Sequence, residues 1–347
     1  MAVYTTIDNP GLFFNTKLWT GNDGSGHAIT GVGFQPDFVW IKNRNTTDDH
    51  NLFDSVRGNT KTILSNSNAA EATNTSRLES FDSDGITVGA DNDTNRNGDS
   101  IVGWNWLGAN GTSSNSDGSI TSTVSANTTA GFSIVSYTGN STAGATIGHG
   151  LGVVPSMIIV KSLESSDAWY VYHPKLGATK AVFLNLTNAA TTSSSYWNDT
   201  APTSSVFSVA GDTSTNNSGG MIAYCFAEKQ GYSKFGSYTG NGNADGPFVY
   251  TGFKPSFIIG KNTSRSDDWF MLDNKRDTFN PVDERLQPNS SGAETTVTSL
   301  GIDFCANGFK LRGATNQYNT SGETMIYMAF AESPFVTAGT KAAGTAR

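Results

Sequence analysis

The sequence predicts an all-β chain: three tandem β-sandwich domains of jelly-roll type, related by internal repetition. Three observations carry this expectation. Apolar residues follow a period of two rather than 3.6, as in Phe38-Val-Trp-Ile-Lys42, Met157-Ile-Ile-Val-Lys161 and Phe257-Ile-Ile-Gly-Lys261. Turn residues such as Asn22-Asp-Gly24 and Asp82-Ser-Asp-Gly85 punctuate the chain at short spacing. Many short strands separated in this way suit a sandwich or jelly roll. The third observation is that the chain repeats itself.

The repeat is read from fixed offsets. Trp19-Thr-Gly-Asn22, Tyr137-Thr-Gly-Asn140 and Tyr238-Thr-Gly-Asn241 are each followed 14 or 15 residues later by a proline, at Pro36, Pro155 and Pro255. A lysine falls six residues on, at Lys42, Lys161 and Lys261. Eight residues beyond each lysine come His50, Trp169 and Trp269, and twelve beyond come Asp54, His173 and Asp273. Each copy closes on an aromatic strand: Ile101-Val-Gly-Trp-Asn-Trp106, Met221-Ile-Ala-Tyr-Cys-Phe226 and Met325-Ile-Tyr-Met-Ala-Phe330.

These landmarks divide the chain into domains 1–108, 119–228 and 229–335, with a Ser/Asn/Gly-rich linker at 109–118 and a small-residue tail at 336–347. Ser119-Ile-Thr-Ser-Thr-Val124 alternates and reads as the first strand of the second copy. Ala168–His173 and Asp268–Asp273 read as hairpin partners of the lysine-ending strands. In such hairpins Lys42 faces His50, Lys161 faces Trp169 and Lys261 faces Trp269, the alkyl stem covering the ring. The best helix candidate is short, Ala69 to Arg77.

Composition narrows the function. Hydrophobic residues are 36%, charged residues only 15%, and Ser, Thr and Asn make up roughly a third of the 347 residues. With 20 Phe, 11 Tyr and 7 Trp to bury, the chain can fold. A net charge of −8 argues against a nucleic-acid binder, which needs a basic face. No apolar run is long enough to span a membrane. The segment MAVYTTIDNP shows neither a basic n-region nor an apolar h-region, so no secretory signal is expected. Cys225 and Cys305 cannot make a disulfide framework and read as small buried hydrophobes.

Candidate sites are few. Asp93-x-Asn95-x-Asn97-Gly98, flanked by Asp91 and Asp99, matches the first half of a calcium loop. The position of the closing glutamate is Trp104, and the matching segments of the other copies are nearly free of acids. A plain polar hairpin loop is therefore preferred, with Ca2+ the alternative and no other cofactor expected. Trp169 and Trp269 could stack on a sugar ring, with Asp167, Asp267 and Asp268 taking its hydroxyls; the competing reading is packed core. Trp197, in a polar stretch, is the stronger candidate for an exposed aromatic. His27, His50, His149 and His173 sit in no catalytic motif, and no local pair of carboxylates is placed for glycoside hydrolysis, so an enzyme is not expected.

The stretch from Thr30 to Asn43, with His50-Asn-Leu-Phe-Asp-Ser-Val-Arg-Gly58, resembles a family of phage virion proteins abundant in marine phages, including those of cyanobacteria, and usually called tail-fibre or appendage proteins. Ser80–Gly85, Ser125–Val135, Gly148–Gly152, Lys234–Gly242 and Asp245–Phe253 share the likeness, which runs over nearly the whole chain. The resemblance implies a virion protein on a tail or other appendage that contacts a host-surface glycan or receptor and other virion proteins, as a homo-oligomer and by family habit a trimer. A purely structural head decoration or tail adaptor is the alternative, and a polysaccharide depolymerase a third. Low charge with abundant hydroxyls and amides suits a surface in strong salt, and tandem copies permit multivalent contact.

Overall fold

The computed structural model describes residues 4–211 and 213–337, and the chain is all-β, its short strands gathered into antiparallel sheets. Each copy builds a large sheet in one order. In the first, the edge strand Phe14–Thr20 is followed by Ser100–Trp106, Phe38–Asn43 and Asn51–Asp54. The same places are taken in the second by Phe132–Thr138, Gly220–Phe226, Met157–Ser162 and Tyr170–Tyr172. In the third they are Ser233–Thr239, Thr324–Pro334, Phe253–Asn262 and Phe270–Asp273. Pro36, Pro155 and Pro255 each stand two residues before the pairs Phe38↔Trp106, Met157↔Phe226 and Phe257↔Phe330.

One face of every large sheet packs on a small sheet, giving a sandwich-like layer pair. Val39 and Ile41 meet Ile86 in the first copy, Val160 meets Phe207 in the second, and Ile258 meets Phe309 in the third. The small layers hold three, two and three strands, fewer than the four of a jelly-roll sheet.

The opposite faces of the three large sheets meet in one cluster that draws on every copy, with Trp40 and Trp104, Ile159 and Tyr224, and Ile259 and Met328 among its members. At its centre Trp106, Phe226 and Phe330 touch one another, with ring centroids 6.5, 5.8 and 6.2 Å apart. The copies are therefore not independent beads laid end to end. Their central strands are apolar on both faces, a small sheet covers only one face, and the other is buried against the neighbouring copies. Three backbone bonds recur in cyclic order: Glu71 N–H to Leu163 C=O (2.8 Å), Ala190 N–H to Thr263 C=O (2.9 Å) and Glu294 N–H to Arg44 C=O (2.8 Å).

The hairpin register is as expected. Ile41↔Asn51, Val160↔Tyr170 and Gly260↔Phe270 pair, so one step on Lys42 stands opposite His50, Lys161 opposite Trp169 and Lys261 opposite Trp269. The ammonium groups turn to the adjoining loops. Lys42 Nζ donates to the carbonyls of Asn43 (2.6 Å) and Thr46 (2.9 Å), and Lys161 Nζ to those of Ser162 (2.6 Å) and Ser165 (3.1 Å). Lys261 Nζ donates to Asn262 (2.6 Å) and Arg265 (3.4 Å). Burial pulls all three lysines down to a pKa of about 8.

Three expectations need correction. Residues 109–118 are not wholly linker, because Ser113–Asn115 adds a strand beside Ser122–Asn127. The strand expected over 119–124 runs instead over Ser122–Asn127, with Ile120 bridging to Ile147. Ala69–Arg77 is not a helix: Ala72–Thr73 is a short strand, and the one-turn helices fall at Asn92–Asn95, Ser194–Trp197, Thr213–Asn216 and Asn316–Asn319. The segment has no apolar stripe to dock, and its Glu71 N–H is committed to Leu163. The expected tail, beyond Thr337, lies outside the described residues.

Candidate functional site

The tryptophans singled out for stacking are structural. Trp169 is fully buried, and its Nε1 donates to the carbonyls of Leu64 (2.9 Å) and Ser67 (3.1 Å) in the first copy. Trp269 makes the equivalent bond into the second copy, to Phe183 (2.8 Å). Each is a wedge from one copy into the one before it. Asp267 accepts from the Asp268 N–H (3.0 Å) and Asp268 from Asn289 Nδ2 (2.7 Å), so neither borders an open aromatic face. Trp197, the stronger candidate for an exposed aromatic, is 1% exposed; it packs edge-on against Tyr172 and donates to the Lys180 carbonyl (3.2 Å). The one-turn helix that carries it folds it inward, which no local pattern announces.

The calcium-like loop is a hydrogen-bond knot. Asp91 caps the turn through Asp93 N–H (2.9 Å), and Arg77 pairs with Asp91 (3.4 Å) and Asp93 (2.6 Å). Asp99 accepts from Asn43 (2.8 Å) and faces Arg96 (3.5 Å), while the Asn97 N–H donates to Asp23 (2.8 Å). Asn95 is wholly buried. Its Nδ2 donates to Asn22 Oδ1 and to the carbonyls of Gly24 and Gly89, and its Oδ1 accepts from Asn22 N–H. Asn216 and Asn319 repeat this knot on Asn140 and Asn241, which explains why the Thr-Gly-Asn motif recurs. Replacing Asn95 by alanine orphans several buried groups and is expected to cost about 3 kcal/mol. The exposed Asn97→Ala change is expected to stay within about 0.5 kcal/mol. Urea unfolding of both variants checks this.

An open concavity lies between the second and third copies. It is a groove of about 510 Å³ lined by Lys175, Glu228, Lys234, Phe248, Tyr250 and Tyr327, among others. Phe248 and Tyr250 are 47% and 54% exposed, while Val249 between them points into the core. They occupy the outward positions of one short strand, so their rings share a face. Tyr250 Oη lies 3.3 Å from Tyr4 Oη, which in turn donates to the Gly252 carbonyl (2.6 Å). Lys234 Nζ pairs with Glu228 at 2.5 Å. Burial, with Glu228 adding to it, raises the Tyr327 pKa, so its hydroxyl stays protonated.

The two exposed aromatics have no counterpart in the other copies. Val249, Ile29 and Ile147 pair with Phe309, Ile86 and Phe207, so Phe248 stands where Ala28 and Thr146 stand, and Tyr250 where Thr30 and Gly148 stand. A comparison of the copies at these outward positions is the signal that could have found them. Among the described residues, no group of three or more His, Cys, Asp or Glu side chains is placed to hold a metal ion.

Neither a search of curated proteins nor one of solved structures finds a match to this chain. A family model described as a domain of unknown function (DUF7483) matches residues 9–334; one family domain thus spans all three copies, and the chain belongs to that family.

Proposed function

We propose that the chain is a non-enzymatic protein of the virion surface, a tail-fibre or appendage component, and that its groove between the second and third copies contacts a host-surface glycan or receptor. In this reading one sandwich unit, present three times, closes into a ring around the shared aromatic core, and other virion proteins and further copies of the chain assemble around it. The exposed Phe248–Tyr250 pair carries the reading. Large aromatics left open beside a groove are characteristic of recognition surfaces. Glu228 is the one carboxylate lining the groove among the described residues. Glycoside hydrolysis ordinarily uses a pair, which supports binding over cleavage.

The test is adsorption of particles that carry the chain. Purified chain in excess is expected to slow their attachment to host cells, and the Phe248→Ala/Tyr250→Ala double variant to compete about 30-fold less well, the loss of about 2 kcal/mol of anchor energy. Unchanged adsorption at a saturating dose of the unmodified chain would overturn host contact and leave the decoration or adaptor role.

A further inference from the structure

The three copies present equivalent edge strands, and the chain treats them differently. Phe132–Thr138 is covered by the chain's own strand Ser122–Asn127, whereas Phe14–Thr20 and Ser233–Thr239 stand at the edges of their sheets. Hydrogen bonds at both ends show which groups face outward. Gly21 N–H donates to Asp99 and Leu107 N–H to Phe13, so the odd-numbered residues of the first edge bond inward, and Thr16 and Leu18 turn their backbone groups out. In the third copy, Gly240 N–H to Glu323 and Ala331 N–H to Tyr232 place Phe235 and Ser237 in the same role.

Charge separates the covered edge from the open ones. The covered strand, Phe132-Ser-Ile-Val-Ser-Tyr-Thr138, carries none, while the open strands carry Lys17 and Lys234. Lysine on an open edge opposes pairing with another strand, so a polypeptide strand is a poor occupant. Across each open edge stands a second lysine: Lys275 lines one groove with Lys17, and Lys175 lines the other with Lys234. Both come from the same place in their copies, and the corresponding residue beside the covered edge is Val56. Among the described residues, Lys17, Lys175 and Lys275 have no carboxylate at ion-pair distance, although Asp84 lies near enough to feel Lys17, whereas Lys234 is paired with Glu228 at 2.5 Å.

We infer that the two open grooves each bind an anionic saccharide, a sugar chain bearing carboxylate or sulfate groups, and that the covered groove is not a site. In the first groove Lys17, Lys275 and the outward N–H groups take the acidic groups; in the second Lys175 takes them, because Glu228 already holds Lys234 and the Phe235 N–H, and Phe248 and Tyr250 stack on a sugar ring there. The assignment rests on the reading that the aromatic groove contacts a surface glycan. Since the chain carries a net charge of −8, an anionic polymer gains nothing from the protein at long range, and Lys17 with Lys275 in one groove and Lys175 in the other are the local sites of attraction.

Calorimetric titration of the full chain with hexameric oligogalacturonate, a sulfated dextran oligomer and neutral dextran of equal length tests this. Two sites per chain are expected for at least one anionic oligomer, with neutral dextran at least tenfold weaker and the anionic binding weakened by salt. Which anionic oligomer binds distinguishes carboxylate from sulfate. Lys175→Gln and Lys275→Gln, both at the surface, are each expected to remove one site, and Phe248→Ala to weaken only the site that Lys175→Gln removes. Equal binding of neutral and anionic oligomers, with both lysine variants silent, overturns the anionic assignment but leaves the aromatic groove a glycan site. A single site indifferent to Lys275→Gln overturns the two-groove assignment. If no oligomer binds, this inference fails, whereas the broader reading fails only if the adsorption competition also fails.

Discussion

Replacing Arg276 by alanine is expected to remove about 3–5 kcal/mol of stability, the range for breaking a buried ion pair from one side. The Arg276 side chain is wholly buried and bonded to Asp273 (2.5 Å), to Glu294 (2.6 Å), and to the carbonyls of Met271 and Glu284. Its guanidinium also lies 5.5 Å from the Trp104 ring centroid, and Trp104 Nε1 donates to Asp273 (3.1 Å), so the cluster joins the third copy to the first. Burial works against the Glu294 carboxylate, but Arg276 and Arg44 outweigh it and hold its pKa below the ordinary value. Without Arg276, two buried carboxylates lose their main partner. Arg57 does the same work between the first and second copies, through Asp54 (2.6 Å), Glu71 (3.1 Å) and the Tyr224 hydroxyl, which donates to Asp54 (2.8 Å). The second copy carries His173, Leu176 and Ala190 at these places, an uncharged version of the same joint. The triple change Asp273→His/Arg276→Leu/Glu294→Ala is therefore expected to cost less than Arg276→Ala alone. Guanidinium unfolding of the two variants is the measurement, and a triple variant less stable than the single one would refute this account of the joint.

Acidification from pH 6.5 to 4.5 is expected to destabilise the protein, with His173 alone contributing about 2–3 kcal/mol. His173 is buried; its Nδ1 accepts from Lys175 N–H (3.2 Å), and its Nε2 faces the Tyr327 carbonyl of the third copy without full hydrogen-bond geometry. Desolvation lowers its pKa to about 4 from an ordinary 6.5, the carbonyl offsetting part of the effect. The unfolded chain thus takes up more protons than the folded one between these values, and stability falls as the pH drops through that window. His50 acts in the same direction. It is fully buried, accepts from Trp40 Nε1 (2.9 Å), and burial, with Lys42 and Arg276 adding to it, holds it well below its usual pKa. His173→Gln should reduce the pH dependence of urea unfolding between 6.5 and 4.5, leaving the part due to His50 and to His149, which burial also holds below the ordinary value. A slope identical to that of the unmodified chain would show that His173 is not buried neutral.

The strands and their hairpin register were legible because they depend on near neighbours. Lys42, Lys161 and Lys261 end apolar runs, eight residues separate each from its partner, and that spacing fixes which side chains face each other. The knot of Asn95, Asn216 and Asn319 is half legible: the spacing around Asn95 reads as a polar hairpin loop with a cation loop as the alternative, since a side-chain amide offers an oxygen to a cation and to a backbone N–H alike. Phe248 and Tyr250 are not legible in the sequence because exposure is a property of the finished surface, and nothing local separates their alternation from that of a strand with both faces covered.

Period-two runs, glycine turns and three sets of matching landmarks were enough to establish an all-β chain and to set its hairpins in register, since each signal acts within a few residues along the backbone. The burial of Trp169 and Trp269, the meeting of Trp106, Phe226 and Phe330 and the opening of two edges out of three came from packing at long range. An apolar face is equally satisfied by a small sheet, a neighbouring copy or a ligand, and its own residues do not say which. That choice is made when separate sheets compete to cover the same surface.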